Sequence, residues 1–426
     1  MSITNRLRLL GTIGAFIIFS EAFSQSSAST YTSLGIGEFN YAGLTQNQAM
    51  GGLGISFGTG WGVNYMNPAL STRNTIFNFQ AAFNYNRLGV SSTGGSTTVD
   101  GGGLSYAAMS LPIKSGKSSL GLGLNQITSV NYSIVVNGDV TNSDYNFINR
   151  IDGEGGVSEA YLSGGLEVAK NLSIGLHGSY LFGSTIRTNQ LSLINNGTPT
   201  GISTEYYQRF TVSDVTFKTG VYYFFKAGKR SNIHLGAIYN AFGNINGKDF
   251  AKLAEFGQAS RPDTDGDILS NNVKGSVYVP QNIGFGISYE KINKFVLGLE
   301  AQRQDFTQYR TFEGNPSSLK ENIRVAFGGQ IVPDYTSVEN IFKRSTFRFG
   351  VFYQQTPYVV NETSINDIGI NFGASVPVNS LSLLNFAFKV GRRGTTENGL
   401  LQEDFFGFSL GFSLNDNTWF YKRVFD

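Results

Sequence analysis

The chain has 426 residues, including 53 glycines, 35 phenylalanines, 21 tyrosines and no cysteine, and only 15% of its residues are charged. The lack of cysteine excludes disulfides and thiolate metal sites. A net charge of +2 without a basic stripe argues against nucleic-acid binding. Glycine and aromatic enrichment instead favours many strands with tight bends and aromatic side chains at an interface. We therefore expect one large repetitive β architecture rather than two or three soluble domains.

Residues 1–24 have the features of an export signal. Arg6 and Arg8 precede the apolar run Leu9–Phe19, and the small residues of Ala22–Ser24 come just before Gln25. The run is too short to cross a bilayer as a helix. We expect the mature chain to begin near Gln25; a buried amphipathic helix is the alternative.

Residues 25–73 combine many glycines with large apolar side chains such as Ile55, Phe57 and Trp61. The glycines disfavour regular structure, because each costs conformational entropy in a helix or strand. The apolar residues disfavour a solvated linker. This segment is therefore predicted to be compact and irregular, with walls supplied by the rest of the chain.

From Thr75 onward the dominant pattern is alternation of apolar and polar residues. Phe77, Phe79 and Ala81 share one face, whereas Asn78 and Gln80 share the other, as in a strand with one apolar side. The pattern recurs about fourteen times, an even number that suits a bacterial outer-membrane barrel. The segments are 75–86, 104–111, 120–136, 160–168, 172–186, 206–225, 233–242, 279–289, 295–309, 323–331, 347–358, 365–376, 381–390 and 405–414.

The connectors alternate between long and short, as in a barrel with short periplasmic turns and longer outer loops. The connector 243–276 is the longest, and Pro333–Ser345 is the one exception to the alternation. Short connectors are mainly basic and long ones acidic, which supports the assignment but also fits ordinary solvated turns. We predict an all-β, transmembrane antiparallel barrel at 74–414, a periplasmic tail at 415–426, both termini in the periplasm, and outer-membrane lipid around the wall.

The run Val63–Leu70, which contains Asn67-Pro68-Ala69, resembles the hatch motif of FadL-type outer-membrane transporters of long-chain fatty acids and other hydrocarbons. Phe408–Phe420 resembles the closing strand of such barrels. The resemblance implies that residues 25–73 plug the lumen, and that substrate moves from an outer groove through the barrel and leaves laterally. It implies hatch positions only for Asn67, Pro68 and Ala69.

Strand parity predicts a set of charged side chains that face the lumen. The cations among them could hold the carboxylate of a ligand through charge-assisted hydrogen bonds. They could equally tie the plug to the wall, which is the commoner use of buried charge. The residues are Lys218, Glu300, Arg324, Arg348 and Lys389.

Other candidate chemistry is weak. Asp263, Asp265 and Asp267 alternate around a glycine, as in calcium loops, but they lack the downstream glutamate, so a solvated acidic loop is the better interpretation. His177 and His234 have no acid and hydroxyl at recognisable spacing in the sequence. We therefore expect no enzyme activity and no cofactor.

Two functions remain open on the sequence alone. The first is passive transport of a hydrophobic small molecule such as a long-chain fatty acid across the outer membrane. The alternative is a non-transporting FadL-like barrel subunit of an outer-membrane secretion or protein-assembly complex, with envelope proteins as partners. The polar loop 243–276 and the long connector Pro333–Ser345 favour the alternative.

Overall fold

The computed structural model describes residues 29–34, 37–195, 197–261, 263–312, 314, 318–379 and 381–416. The predicted export signal at 1–24 lies outside these residues. Within the described ranges, no helix has the length and apolarity needed to cross a membrane.

The structure is dominated by long strands. They are β1 (Glu38–Phe39), β2 (Phe77–Ser92), β3 (Gly95–Lys114), β4 (Ser118–Asp139), β5 (Tyr145–Ala169), β6 (Leu172–Asn195), β7 (Thr198–Gly228), β8 (Ser231–Ala241), β9 (Gly243–Glu255), β10 (Asp267–Val279), β11 (Asn282–Lys291), β12 (Phe295–Asp305), β13 (Glu321–Ile331), β14 (Thr346–Val360), β15 (Thr363–Pro377), β16 (Leu383–Gly394) and β17 (Gln402–Asp416). Two short α-helices are α1 (Thr45–Gln48) and α2 (Ile341–Arg344). Short 3₁₀ helices lie at Thr30–Leu34, Pro68–Arg73, Phe306–Gln308 and Glu397–Gly399.

The strands form a closed antiparallel barrel of fourteen strands, as predicted. Each strand from β2 to β17 pairs with its neighbours, and β17 returns to β2, with Asp416 opposite Phe77. β8 and β9 together make one barrel strand, as do β10 and β11, because β8 pairs with β11 and β9 with β10. Closure leaves no free outer edge around most of the wall.

Strand β14 shows why the wall belongs in a bilayer. Phe347, Phe349 and Val351 point outward and are 38–46% exposed. Arg348, which lies between the two phenylalanines, and Phe352, which follows Val351, point inward and are buried. The same alternation places a continuous apolar band around the cylinder, which only lipid can cover without cost. The band includes Ile174, Leu176, Val221, Leu235, Phe285, Ile287, Leu299, Val325, Phe327, Ile368, Ile370 and Leu410.

One seam of the wall is incomplete. The β3–β4 ladder ends at the pair Tyr106 and Asn125, although both strands continue and pair with β2 and β5 on their other sides. In the described chain, β1 occupies part of this β3–β4 gap and pairs antiparallel with Thr128–Ser129 of β4. The backbone N–H of Asn40 also donates to the Ile127 carbonyl at 2.9 Å.

The connector 243–276 is not an irregular loop, contrary to the sequence-based expectation. Most of it folds as β9 and β10, a hairpin that continues the barrel strands beyond the apolar band. Its buried apolar residues, such as Ile245, Phe250 and Ala254, do not follow a regular period of two, so alternation did not reveal the hairpin. β17 likewise runs to Asp416, two residues past the predicted end at Leu414, and residues 417–426 lie outside the description.

The barrel has two distinct ends, which we call the long-connector end and the short-connector end. The described chain begins at Ser29 beside Glu403, near the long connector 395–401, and ends at Asp416 at the short-connector end. The prediction that both termini face the periplasm concerns residues beyond these points and stays a prediction.

Candidate functional site

Residues 29–34 and 37–74, which we call the plug, lie inside the barrel. The plug contacts strands on every side of the cylinder. The closest of these contacts are at wall glycines, where no side chain separates the backbone of the wall from the backbone of the plug. A Cβ atom at Gly236 would lie 2.0 Å from the Ile55 carbonyl oxygen, and one at Gly350 would lie 2.2 Å from the Met50 carbonyl carbon. The wall is therefore shaped to admit the plug backbone directly.

Glu300 anchors the centre of the plug. Its inward position on β12 brings the carboxylate to consecutive backbone N–H groups, which donate from Gly54 (2.9 Å), Ile55 (2.9 and 3.0 Å) and Ser56 (2.8 Å). The Ser56 hydroxyl donates to the same carboxylate at 2.9 Å. The site is buried, so water cannot accept hydrogen bonds from the backbone N–H groups of this glycine-rich turn. The Glu300 carboxylate of the wall accepts them instead.

Two predicted lumenal cations also bind plug carbonyls. The Arg324 guanidinium donates to the Gly51 carbonyl at 2.6 Å, and the Lys218 ammonium donates to the Tyr65 carbonyl at 3.1 Å. Lys218 also lies 4.0 Å from the centre of the Tyr65 ring. The structure thus brings three of the five predicted charged residues, Glu300 included, onto the plug.

The hatch motif is a compact junction between plug and wall. The Asn67 side chain accepts a hydrogen bond from the Ala69 N–H (3.0 Å) and donates to the carbonyls of Ile55 (2.7 Å) and Val221 (3.1 Å). Pro68 begins the 3₁₀ helix Pro68–Arg73, where its missing N–H costs nothing. All three hatch residues are buried.

Two histidine–glutamate pairs tie the plug to the wall, and the sequence did not reveal them. His234 contacts Glu290 (3.0 Å) and the Tyr222 hydroxyl (2.7 Å), and Arg73 of the plug donates to that hydroxyl at 2.9 Å. On the other side of the barrel, His177 lies 3.4 Å from Glu159. The Tyr65 hydroxyl of the plug donates to Glu159 at 2.5 Å. Because these partners are far apart in sequence, only strand register could have predicted them.

At the long-connector end the plug is held by Arg393. Its guanidinium donates to Glu38 of the plug (2.6 and 3.1 Å) and to Asp367 of the wall (2.9 Å). Burial raises the pKa of Glu38, but the charge and hydrogen bonds of Arg393 outweigh it and lower that pKa to about 2. Glu403 accepts from Ser29 (2.6 Å) and Thr30 (2.8 Å), so the first described residues are fixed as well.

A cavity of about 180 Å³, the outer cavity, borders the β3–β4 gap. Lys389 lines it, with its ammonium 4.3 Å from the centre of the Phe405 ring and 5.0 Å from that of Phe352. Among the described residues it has no hydrogen-bond or ion-pair partner. Arg324, Arg393, Glu38, Ser105, Gln126 and Thr128 also line this cavity.

A larger cavity of about 580 Å³, the mouth cavity, lies between the plug and the short-connector end. Arg348 lines it and is 7% exposed. Its guanidinium donates to Gln330 (3.2 Å) and to the Ser375 hydroxyl, but no carboxylate of the described chain pairs with it. The fifth predicted charged residue therefore faces open space rather than the plug.

The acidic loop at the far end of the β9–β10 hairpin is organised around a lysine. The buried Lys252 ammonium donates to the carbonyls of Arg261 (2.8 Å) and Thr264 (2.7 Å) and to the Thr264 hydroxyl (2.9 Å). The oxygens of Arg261 and Thr264 that point into the loop therefore already bind the Lys252 ammonium. Among the described residues, Asp263, Asp265 and Asp267 form no group that could hold a metal ion.

Comparison with solved structures finds the same fold in a hydrocarbon channel, a FadL homologue and a toluene transporter. The CymD monoaromatic hydrocarbon channel matches with 15% identity and a TM-score of 0.55, covering 89% of this chain and 99% of that one. A Pseudomonas aeruginosa FadL homologue matches with 14% identity and a TM-score of 0.60, covering 88% and 98%. The P. putida toluene transporter TodX matches with 14% identity and a TM-score of 0.53, covering 90% and 99%. The predicted resemblance to FadL-type barrels is confirmed.

Comparison of the sequence itself gives a narrower result. No curated protein matches it. A family model described as BamG matches residues 7–426, which is nearly the whole chain. This outer-membrane β-barrel therefore belongs to the BamG family.

Proposed function

We propose that this protein is a non-transporting barrel subunit of an outer-membrane secretion or protein-assembly complex. The observation that carries this proposal is the attachment of the plug along its whole length. Arg393 holds it at one end, Glu300 in the centre and the Arg73–Glu290 pair at the other end. Moving such a plug would leave several buried charges and N–H groups without partners, which is costly.

The lumen is also closed at the long-connector end. Inward apolar residues of the wall, including Leu181 and Val277, pack in one cluster with Phe306, Leu319 and Leu400 from the long connectors. Phe39 of the plug packs against the same cluster. This packing resembles a protein core and leaves little room for a conducted molecule.

The test combines conduction with partner capture. Full-length protein in liposomes should not accelerate toluene or oleate transfer above the rate in empty liposomes. The same protein purified in mild detergent should carry a stoichiometric protein partner. Accelerated transfer by a barrel that purifies alone would overturn the proposal.

A second candidate function, transport of a hydrophobic molecule, is favoured by the β3–β4 gap and the outer cavity beside it. The gap offers a lateral path through the wall, and Lys389 offers a cation to a carboxylate such as that of a long-chain fatty acid. On this function, Lys389→Gln should weaken oleate binding roughly tenfold. Lys320→Gln, which changes an exposed lysine, is the matched control. Equal oleate binding by both variants would remove Lys389 from the site.

We also propose that the short-connector end faces the periplasm, because short turns occur on that side of bacterial barrels. Cysteines placed at Lys229 and at Leu269, one at each end, should differ in labelling by an impermeant thiol reagent on intact cells. Only the Leu269→Cys protein should react. Labelling of the Lys229→Cys protein instead would reverse the orientation.

A further inference from the structure

The short-connector end carries a surface that the plug and the barrel do not use. The connector 332–345 projects from it as an ordered loop rather than a tight turn. The Asp334 N–H donates to the Lys343 carbonyl at 2.8 Å and closes the loop. The Asn340 side chain accepts from the N–H groups of Phe342 (3.0 Å) and Lys343 (3.3 Å) at the start of α2.

This ordered loop exposes large apolar side chains. Val338 is 84% exposed, Phe342 67% and Tyr335 51%. Trp61 of the plug, at the same end, is 51% exposed. Apolar side chains exposed on a connector at the end of a barrel strand, outside the core, are typical of a protein–protein contact.

The charges around this loop are mainly positive. Adjacent turns bring Lys229, Arg230, Lys291 and Lys294 to the same rim, since the Ile292 N–H bonds the Arg230 carbonyl (2.9 Å) and the Val332 N–H bonds the Lys294 carbonyl (2.8 Å). Lys343 and Arg344 of the connector add to them. Within the described chain, none of these cations forms a salt bridge.

The mouth cavity opens between these elements. Val332 and Thr346, which flank the connector, line it together with Lys291, Lys294 and Arg348. Arg348 points into the lumen between the outward-facing Phe347 and Phe349, so a lipid in the bilayer cannot reach it. A guanidinium with free N–H groups, deep in a cavity with a cationic rim, is suited to a carboxylate that enters from the periplasm.

We propose that this end is a docking site for an acidic, apolar segment of a partner protein. A carboxylate of the segment pairs with Arg348 in the mouth cavity, further acidic residues lie against Lys291 and Lys294, and an apolar side chain packs on Val338 and Phe342. This inference rests on the proposed function and names the kind of partner surface that it requires.

The test is site-specific crosslinking in the bacterium that produces the full-length protein. A photoreactive p-benzoylphenylalanine replaces Phe342, and the adduct is purified in mild detergent and mapped by mass spectrometry. We expect one protein adduct whose crosslinked segment contains aspartate or glutamate beside apolar residues. Arg348→Gln should lower the adduct yield roughly tenfold, and Arg348→Lys should restore part of it because the charge is retained.

Folding is controlled independently of docking. Each variant is checked by its heat-dependent mobility in detergent gels, and the pair K291E/K294E changes only rim residues, so it tests the charge without disturbing the lumen. The pair should also lower the adduct yield. Adducts with phospholipid alone, or yields unchanged by R348Q and by K291E/K294E, would overturn the docking site.

A separate outcome distinguishes this inference from the proposed function. If a stoichiometric partner copurifies but crosslinks only to a photoreactive residue at Leu269, at the opposite end, the docking site is wrong and the subunit role stands. If no partner copurifies, both fail.

Discussion

Glu300 illustrates how one residue can organise a segment with little structure of its own. The plug around Gly54 has no regular element to satisfy its N–H groups, and the wall supplies a single ionised acceptor. Charge-assisted hydrogen bonds of this kind are about twice as strong as neutral ones. The carboxylate therefore fixes both the position and the conformation of the turn.

Glu300→Ala should loosen the plug without opening the wall. Three buried N–H donors would lose their acceptor, and the expected loss of plug stability is about 3 kcal/mol. Hydrogen exchange of residues 50–58 measures it, and faster exchange is expected in this variant only. Glu362→Ala, in an exposed turn, is the control. Unchanged exchange in E300A would show that the turn is held by packing alone.

Gly236→Ala tests the close contact between wall and plug. The new methyl would meet the Ile55 carbonyl at 2.0 Å, so we expect a loss of roughly 1–3 kcal/mol and a lower melting temperature. Gly178→Ala is matched, because its methyl would face outward with the nearest Phe217 atom at 3.6 Å. Equal melting temperatures for the two variants would contradict the contact.

The sequence predicted the side of the wall on which charged residues lie, but not their partners. Parity alone placed Lys218, Glu300, Arg324, Arg348 and Lys389 inward, and all five line the lumen. Parity cannot show that Arg348 faces a cavity whereas Arg324 binds the plug. That difference depends on how an irregular segment crosses the barrel, and irregular segments have no period to read.

Among the strands of the described residues, β1 is the shortest, at two residues. It pairs with β4 where the wall is incomplete, and its Glu38 is paired with Arg393 across the lumen. The strand that partly fills the β3–β4 gap is therefore tied by an ion pair to the opposite wall, in addition to its backbone pairing with β4 and the packing of Phe39. The alternating pattern could not predict the gap, because β3 and β4 continue as strands on both sides of it.

Acid should release β1. The pKa of Glu38 is lowered to about 2 from an ordinary value near 4.5, so its pairing stabilises the plug fully above the ordinary value. That stabilisation should decline as pH falls from about 4.5 towards 2. Hydrogen exchange of residues 37–44, corrected for the intrinsic effect of pH, measures the release. In Glu38→Gln, residues 37–44 should already exchange quickly at neutral pH, and their exchange should not change further between pH 4.5 and 2. If this variant shows the same acid-induced change as the unmodified protein, another carboxylate is responsible for it.

At the scale of the whole molecule, the barrel is a container that its own amino-terminal segment fills. Fourteen strands enclose a lumen wide enough for a channel, and the plug and the apolar cluster under the long connectors occupy it. The barrel was predictable because fourteen alternating segments with connectors of two lengths allow few other folds. The composition of residues 25–73 and the resemblance to FadL-type barrels also predicted a plug, but the individual contacts that hold it to the wall could not be predicted, because they join residues far apart in sequence.

Deleting residues 25–73 should convert the protein into an open pore. The inward side chains that contact the plug, such as Glu300 and Arg324, are largely polar, so water should fill that part of the lumen. The deletion also removes Tyr31 and Phe39 from the apolar cluster under the long connectors, so that end should open and planar bilayers should show stepwise conductance. Full-length protein and the E362A control should show none. A silent deletion variant that still has heat-dependent mobility in detergent gels would show that the wall collapses or that the connectors alone seal it.

The enclosure of the plug also constrains the order of biogenesis. Phe306 and Leu319 cap one opening, and the plug is bonded to strands from all parts of the sequence, so we expect the strands to close around the plug rather than the plug to enter a finished cylinder. On this order, the amino-terminal segment lies beside the growing sheet until β17 pairs with β2. The pairing of β17 with β2 closes the barrel. It therefore decides whether the plug of the newly made protein is enclosed in the lumen or left outside it.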